Sequence, residues 1–243
     1  VITFDIGTGS SMLKGETEED TVLNVAAMRP DVIVIRYNRS PALDSQLENF
    51  PIPVISAGTG TQSHPTQGLL DAYTIYRELG SVKGQRVLIV GDIVHSRVAR
   101  SNFDVLFKLG AEVAVCGPRN FLPPASELPG VRIFTNLDEA IAWPTVFMGL
   151  RVQIERHDDP ELKGTSLADY RAHYHAHYGL HEDRLKKLDP RALILHPGPI
   201  NHGIEFASNV IVDPRSRILQ QVNNGVLIRA ALLQKIFTGR FEP

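Results

Sequence analysis

Cysteine is almost absent from this chain, and neither sign of charge is in excess. Cys116 is the single cysteine among 243 residues, so the sequence holds no internal disulfide and no cysteine-based zinc site. Twenty-five lysines and arginines stand against 27 aspartates and glutamates, for a formal net charge of −2. This balance argues against a general nucleic-acid or membrane-surface binder, which would be basic.

Long apolar runs are also missing. No run approaches the roughly 20 residues that a membrane-spanning helix needs. The opening VITFDIGTGS has no basic stretch followed by a long apolar one, so it does not predict a signal peptide. We therefore expect a cytoplasmic protein with neither a membrane nor a nucleic-acid partner. Val1 is not an initiator methionine and VITF has the pattern of a strand, so we also expect residues to precede it.

Short runs rich in valine and isoleucine alternate with helical patterns along the chain. Several runs are apolar throughout, as strands covered on both faces are, so the pattern predicts an α/β fold with doubly wound parallel sheets. The predicted strands are 31–36, 53–57, 86–92, 111–117, 131–135, 145–150 and 192–196. The predicted helices lie near 18–28, 65–79, 97–109, 137–142, 166–176, 181–188 and 225–238.

The polar segment around Gly80–Gly84 separates a long predicted helix from the next strand and suggests a domain boundary. We expect a short first domain over 1–80 and a second domain over 81–224. The amphipathic segment 225–243 is expected to pack back toward the first domain.

Polar side chains cluster where predicted strands end, which is where doubly wound sheets bind ligands. Arg36 closes the run DVIVIR, although an ordinary surface arginine fits that place equally well. SHPTQ (63–67) opens a helix whose free N–H groups suit an anion, and His64 and Gln67 are spaced to face one ligand. Pro65 alone would fit a purely structural helix start.

Two arginines follow later strands. The segment GDIVHSRVAR (91–100) lacks the G-x-G-x-x-G of a dinucleotide loop and presents His95, Ser96 and Arg97 instead. In LRVQIER (150–156), Arg151 and Gln153 alternate along what would be one face of an extended segment. Arg97 and Arg151 together suit a ligand with two carboxylates, while a charged loop after an edge strand is the structural alternative.

Two further segments complete the candidates. LHPGPINHGIEF (195–206) places two prolines around Gly198 directly after a strand, which favours a tight turn or a cis bond. The loop 7–21 carries Ser10 and Lys14 before a predicted helix. Neither a metal-ligand cluster nor a Ser-His-Asp or Cys-His pair is evident. The pattern therefore indicates recognition of small anionic molecules, with catalysis by positioning and electrostatics.

These segments resemble the aspartate carbamoyltransferase family over essentially the whole chain. The matching blocks are LKGETEEDT, HPTQ within AGTGTQSHPTQGLLDAYTI, GDIVHSRVARSN, LRVQIER, and LHPGPIN with the later QVNNGV. The combination of HPTQ with R-x-Q-x-E-R and HPGP is specific, because an ornithine carbamoyltransferase carries a cysteine-containing motif in place of HPGP. The resemblance implies the two-domain carbamoyltransferase fold, no cofactor and no metal.

The resemblance also implies roles for individual residues. Arg36 and His64 would polarise the carbamoyl oxygen of carbamoyl phosphate and stabilise the oxyanion. The carbamoyl nitrogen would be held by Gln67 and by backbone at Gly198 and Pro199. L-Aspartate would be bound by Arg97 and Arg151 with Gln153 nearby. The departing phosphate would take up the amine proton.

Subunit assembly is a further implication. Lys14, with Ser10, would reach into the site of a neighbouring subunit in a homotrimer. A regulatory chain or a dihydroorotase is a possible additional partner.

The chain departs from the family pattern at two places. The family has a phosphate-binding Ser-Thr-Arg-Thr motif upstream of the position of Val1, and no such stretch occurs in these residues. The family usually has arginine where this chain has His202, which replaces a permanent bidentate donor by a weaker base. The alternatives are therefore a catalytically inactive homologue with a binding or structural role, and a carbamoyltransferase for another amino acid.

Overall fold

The structure is a computed structural model that describes residues 17–38, 40–152 and 166–239. The chain divides into two compact units, one over Val1–His64 and the other over Pro65–Pro243. None of the helices in the described ranges combines the length and apolar character needed to cross a bilayer. The domain boundary that the sequence predicts at Gly80–Gly84 remains a prediction.

The first unit holds two parallel strands and two helices. Its elements are α1 (Glu18–Ala27), β1 (Ile33–Tyr37), α2 (Pro41–Glu48) and β2 (Val54–Thr59), and β1 pairs with β2 in parallel. The predicted strands and α1 are confirmed, whereas α2 was not predicted. The sequence Ser40-Pro41 is a typical helix start. In the structure the Ser40 hydroxyl caps the helix by accepting from the Leu43 N–H at 3.3 Å, and Pro41 occupies the first turn.

The second unit is built on a five-stranded parallel sheet in the order β5-β4-β3-β6-β7. Its strands are β3 (Arg86–Val90), β4 (Glu112–Cys116), β5 (Arg132–Phe134), β6 (Val146–Gly149) and β7 (Leu193–Leu195). The helices are α3 (Pro65–Leu79), α4 (Arg97–Lys108), α5 (Leu137–Ala140), α6 (Leu167–Tyr178), α7 (Glu182–Lys187) and α8 (Ile218–Thr238). Strands β3, β4, β6 and β7 are almost wholly buried, so the apolar runs are explained by a sheet covered on both faces. All five predicted strands of this unit are confirmed.

The long helix α8 begins well before the predicted start at residue 225. Asn223, Asn224 and Gly225 interrupt the apolar pattern and locally disfavour a helix. The structure keeps them helical because α8 packs against α3, with Asn224 Nδ2 donating to Thr74 Oγ1 at 2.9 Å. Gly225 allows this approach, since a Cβ there would lie 3.2 Å from the Leu70 side chain. Tertiary packing thus overrides the weak local propensity.

Candidate active site

The strand order reverses between β3 and β6, and open α/β sheets bind ligands outside the carboxyl ends of the strands at such a point. From β3 the chain moves outward through β4 and β5, then returns to add β6 and β7 on the other side. The Leu150 N–H donates to the Val90 carbonyl at 2.8 Å, so the segments that leave β3 and β6 start side by side. Gly91, which opens GDIVHSR, and Leu150, which opens LRVQIER, therefore lie next to each other at the switch point, and the HPGP segment follows the adjacent strand β7.

The segment after β3 turns sharply into α4. Gly91 has φ 140° and lies against Leu150, where a Cβ would approach the Leu150 Cβ to 3.0 Å. Ser96 is the N-cap of α4 and accepts from the Ala99 N–H at 3.1 Å, so its role here is structural. His95 Nδ1 lies 3.0 Å from the buried carboxylate of Asp92. Arg97 is the half-buried first residue of α4.

The segment after β6 exposes Arg151 while Val152 turns inward, with 1% of its surface exposed. Arg151 is thus exposed to solvent two residues after the end of β6, and its role in binding aspartate remains a prediction. Gln153 lies outside the described residues, as do Ser10 and Lys14. Their predicted roles remain predictions.

The segment after β7 forms a tight turn with a cis peptide bond between Gly198 and Pro199. Gly198 has φ 70°, and both residues are exposed. The Gly198 N–H donates to Nδ1 of His196 at 2.9 Å. His196 is buried, which lowers the pKa of its imidazole to about 3 and keeps the ring neutral. His202, at the position of the family's arginine, is exposed.

Glu205 joins the segments that follow β6 and β7. Its Oε1 accepts from the Val152 N–H at 2.6 Å and from Asn201 Nδ2 at 2.9 Å. Its Oε2 accepts from the Asn201 N–H at 2.8 Å. The side chain is buried, and burial raises the pKa of Glu205. One carboxylate therefore fixes the backbone next to Arg151 relative to the HPGP turn.

Glu205→Gln is expected to lower the free energy of unfolding by about 1–3 kcal/mol. The glutamine has the same shape, but its amide replaces one acceptor oxygen by a donor that faces a backbone or side-chain N–H. Chemical denaturation of the variant against the wild-type protein measures the change. Glu127→Gln, at an exposed carboxylate, is the control and should be neutral. An unchanged free energy for Glu205→Gln would contradict the role given to this carboxylate.

The HPTQ motif lies at the start of α3. His64 is half-buried and directly precedes the first helical residue, Pro65. Gln67 is buried on the first turn, and its Nε2 donates to Asp71 Oδ1 at 2.9 Å. The structure thus gives Gln67 a fixed partner within the protein, which the sequence alone did not reveal.

Arg36 lies on the exposed face of β1, beside Val34, whereas Ile33 and Ile35 are buried. It stands near the carboxyl end of β1, and the neighbouring β2 leads through a turn closed by Thr59 and Ser63 to His64. Arg36, near the end of β1, and His64, after the end of β2, therefore both belong to the carboxyl-end edge of the two-stranded sheet.

Within the ranges 17–38, 40–152 and 166–239, no group of three or more histidine, cysteine or carboxylate side chains is arranged to hold an ion. Cys116 is buried, and burial raises its thiol pKa to about 12. It is therefore an unreactive core residue at neutral pH.

The motif analysis missed two buried carboxylates, Asp71 and Glu205. Each sits in an apolar stretch, LLDAYTI or GIEF, where a charged residue is unusual. That anomaly is the signal that could have identified them. Two of their partners, Gln221 for Asp71 and Val152 for Glu205, could not be identified in this way because they are distant in the sequence.

The fold is that of the doubly wound α/β proteins, with arginine side chains beyond the ends of its parallel strands, where such proteins bind small ligands. Comparison with models of protein families identifies the family of the chain. The carbamoyl-phosphate-binding domain of aspartate/ornithine carbamoyltransferase matches residues 1–77, and the Asp/Orn-binding domain matches residues 83–236. The chain belongs to the aspartate/ornithine carbamoyltransferase family.

Individual relatives agree with this assignment. The chain is 45% identical over 236 residues to the aspartate carbamoyltransferase catalytic subunit of Chlorobium phaeovibrioides, covering 95% of this chain and 74% of the relative. The Acetivibrio thermocellus catalytic subunit is 48% identical over 224 residues, covering 92% and 70%. Aspartate transcarbamoylase from Trypanosoma cruzi, in complex with carbamoyl aspartate and phosphate, superposes with a TM-score of 0.78 at 28% identity, covering 96% and 73%. The expected family and fold class are confirmed.

Proposed function

We propose that this protein transfers the carbamoyl group of carbamoyl phosphate to the amino group of L-aspartate. The amine nitrogen forms a bond to the carbamoyl carbon, and the bond from that carbon to the phosphate oxygen breaks. The departing phosphate takes up the amine proton, so the products are N-carbamoyl-L-aspartate and phosphate. The reaction serves pyrimidine biosynthesis.

The observation that carries this proposal is that the segments leaving β3 toward Arg97 and β6 toward Arg151 start side by side, at the switch point of a family member. A planar guanidinium binds a carboxylate through two parallel hydrogen bonds. Two such groups match the two carboxylates of aspartate, whereas a cationic acceptor such as ornithine would be repelled. The names of the relatives support the same acceptor.

Carbamoyl phosphate is the proposed ligand of the first set of residues. Arg36 and His64 donate to the carbamoyl oxygen, where negative charge develops as the amine attacks. Gln67 and the backbone at Gly198 and Pro199 accept from the carbamoyl NH₂. These interactions position the donor and need no covalent intermediate.

Aspartate is the proposed ligand of Arg97, Arg151, Gln153 and Lys14. Lys14 acts across a subunit boundary in a cytoplasmic homotrimer, and a regulatory chain or a dihydroorotase is a further candidate partner. The domain division proposed with this assembly is 1–80, 81–224 and a C-terminal segment over 225–243 that packs back toward the first domain.

Product formation from carbamoyl phosphate and L-aspartate tests the function directly. We expect N-carbamoyl-L-aspartate from the purified protein, and no product when L-ornithine replaces aspartate. Carbamoylation of ornithine would contradict the acceptor assignment. Absence of any product would contradict the reaction and favour the inactive homologue, for which His202 is the first residue to revert, as His202→Arg.

A further inference from the structure

A buried polar cluster connects the HPTQ helix to the strand end that carries HPGP. At its centre is Asp71 on α3, which has no exposed surface. Its Oδ1 accepts from Gln67 Nε2 at 2.9 Å and from Gln221 Nε2 at 2.8 Å. Its Oδ2 accepts from Asn102 Nδ2 at 2.8 Å. Three amides from α3, α4 and α8 therefore converge on one carboxylate.

An ionised carboxylate can only accept, so it decides which end of each amide faces it. Asn102 shows that this constraint dominates locally. Its Nδ2 donates both to Asp71 and to the Val98 carbonyl, while its buried Oδ1 has no hydrogen-bond partner among the described residues. The Asn102 side chain therefore keeps its NH₂ group toward Asp71 even though its Oδ1 makes no hydrogen bond within the described residues.

The same constraint turns two carbonyl oxygens away from Asp71. Gln67 must direct its NH₂ to Asp71, so its Oε1 is left to accept from another donor. Gln221 is oriented likewise, and its Oε1 accepts from the backbone N–H of His196 at 2.8 Å. His196 in turn accepts from the Gly198 N–H. One carboxylate thus orients Gln67 and, through Gln221, the start of the HPGP turn.

We propose that Asp71 is a positioning residue that sets the selectivity of the site for the carbamoyl NH₂ group. This proposal rests on the proposed function. It makes Asp71 the single group that orients the acceptor oxygens of Gln67 and of the backbone at Gly198 and Pro199. Those groups accept from the carbamoyl nitrogen only while their amides and turn hold the orientation that Asp71 imposes. Asp71 itself does not touch substrate.

The charge state of the cluster fits this role at neutral pH. Burial raises the pKa of Asp71 to about 6, and its three amide hydrogen bonds oppose that rise. The side chains that face it from α3, α4 and α8 are Gln67, Asn102 and Gln221, which do not titrate. His196 stays neutral because burial lowers its pKa to about 3. Asp71 is therefore the group of this cluster that changes charge between pH 5 and 8.

Acetyl phosphate provides the probe, because it replaces the carbamoyl NH₂ with a methyl group that donates no hydrogen bond. The quantity to measure is a discrimination ratio, the inhibition constant of acetyl phosphate divided by the dissociation constant of carbamoyl phosphate. Asp71→Asn should lower this ratio about tenfold, because an asparagine offers a donor to amides that are themselves donors. Thr74→Val is the matched control, since Thr74 is buried one turn further along the same α3–α8 interface and contacts Asn224. It should leave the ratio unchanged.

The outcomes separate this inference from the proposed function. A wild-type protein that forms no carbamoyl aspartate contradicts the function itself. An active wild type whose Asp71→Asn variant loses both affinities by the same factor contradicts the selectivity role and leaves Asp71 a structural residue.

A second measurement needs no variant and so does not depend on Asp71→Asn folding. The wild-type ratio should fall as pH is lowered through about 6, when Asp71 becomes protonated and gains a donor. Ionisation of the phosphate group affects both ligands similarly and largely cancels in the ratio. A ratio that stays constant between pH 8 and pH 5 would overturn the inference.

Discussion

His64→Ala is expected to lower kcat about 10²–10³-fold while changing the KM for carbamoyl phosphate much less. The physical reason is that a hydrogen bond to the carbamoyl oxygen strengthens as negative charge develops there in the transition state. Removing it therefore affects the chemical step more than ground-state binding. Initial rates over a range of carbamoyl phosphate concentrations, at saturating aspartate, separate the two effects.

The control for His64 is another histidine of this chain that lies far from the motifs in sequence. His177 on α6 is exposed, and its Nδ1 contacts the His173 carbonyl of its own helix. His177→Ala should retain wild-type kinetics. An unchanged kcat in His64→Ala would remove His64 from oxyanion stabilisation, and a pure rise in KM would make it a ground-state binding residue.

Arg151→Ala is expected to raise the KM for aspartate about 10²–10³-fold and to leave the affinity for carbamoyl phosphate nearly unchanged. The loss corresponds to a bidentate, charge-assisted pair with one carboxylate. Arg151→Lys keeps the charge but presents a single ammonium group, so its KM should lie between those of the wild type and the alanine variant. Steady-state kinetics with each substrate varied in turn gives both constants.

Arg191 provides the matched control because its side chain is 92% exposed and lies 3.7 Å from Asp189. Arg191→Ala removes the same charge from the same unit, so it reports the general effect of losing one positive charge. It should leave both affinities within about twofold of wild type, since an isolated exposed ion pair contributes little. Equal losses of aspartate and carbamoyl phosphate affinity in Arg151→Ala would contradict its assignment to aspartate.

The strands could be predicted because their signal is local. In runs such as RVLIV and EVAVC every residue must suit a sheet buried on both faces, and that requirement is visible in the sequence. Helix α8 shows the limit of this approach. Its first residues are helical because of contacts with α3, and Gln221 and Asp71 are 150 positions apart. No short window of sequence contains such a contact.

The residues of the candidate site likewise fall into two groups, those with a local sequence signal and those whose role depends on tertiary contacts. Arg97 and Arg151 could be proposed because each comes after an apolar strand, and the strand order then explains why the segments that leave β3 and β6 start side by side. Asp71 and Glu205 are different, because the importance of each depends on which amides and backbone groups the fold delivers to it. A lone carboxylate in an apolar helix signals an unusual environment, but it does not reveal the three amides that surround Asp71.

The partners of these two carboxylates have a consequence for ionic strength. Neither Asp71 nor Glu205 is paired with a lysine or arginine in its described hydrogen bonds, which come from amides and backbone N–H groups. Dissolved ions screen exposed charges far more than buried dipoles. Added salt would therefore weaken the proposed attraction of the exposed Arg36 and Arg151 for anionic substrates, while the hydrogen bonds that Asp71 and Glu205 accept would be kept.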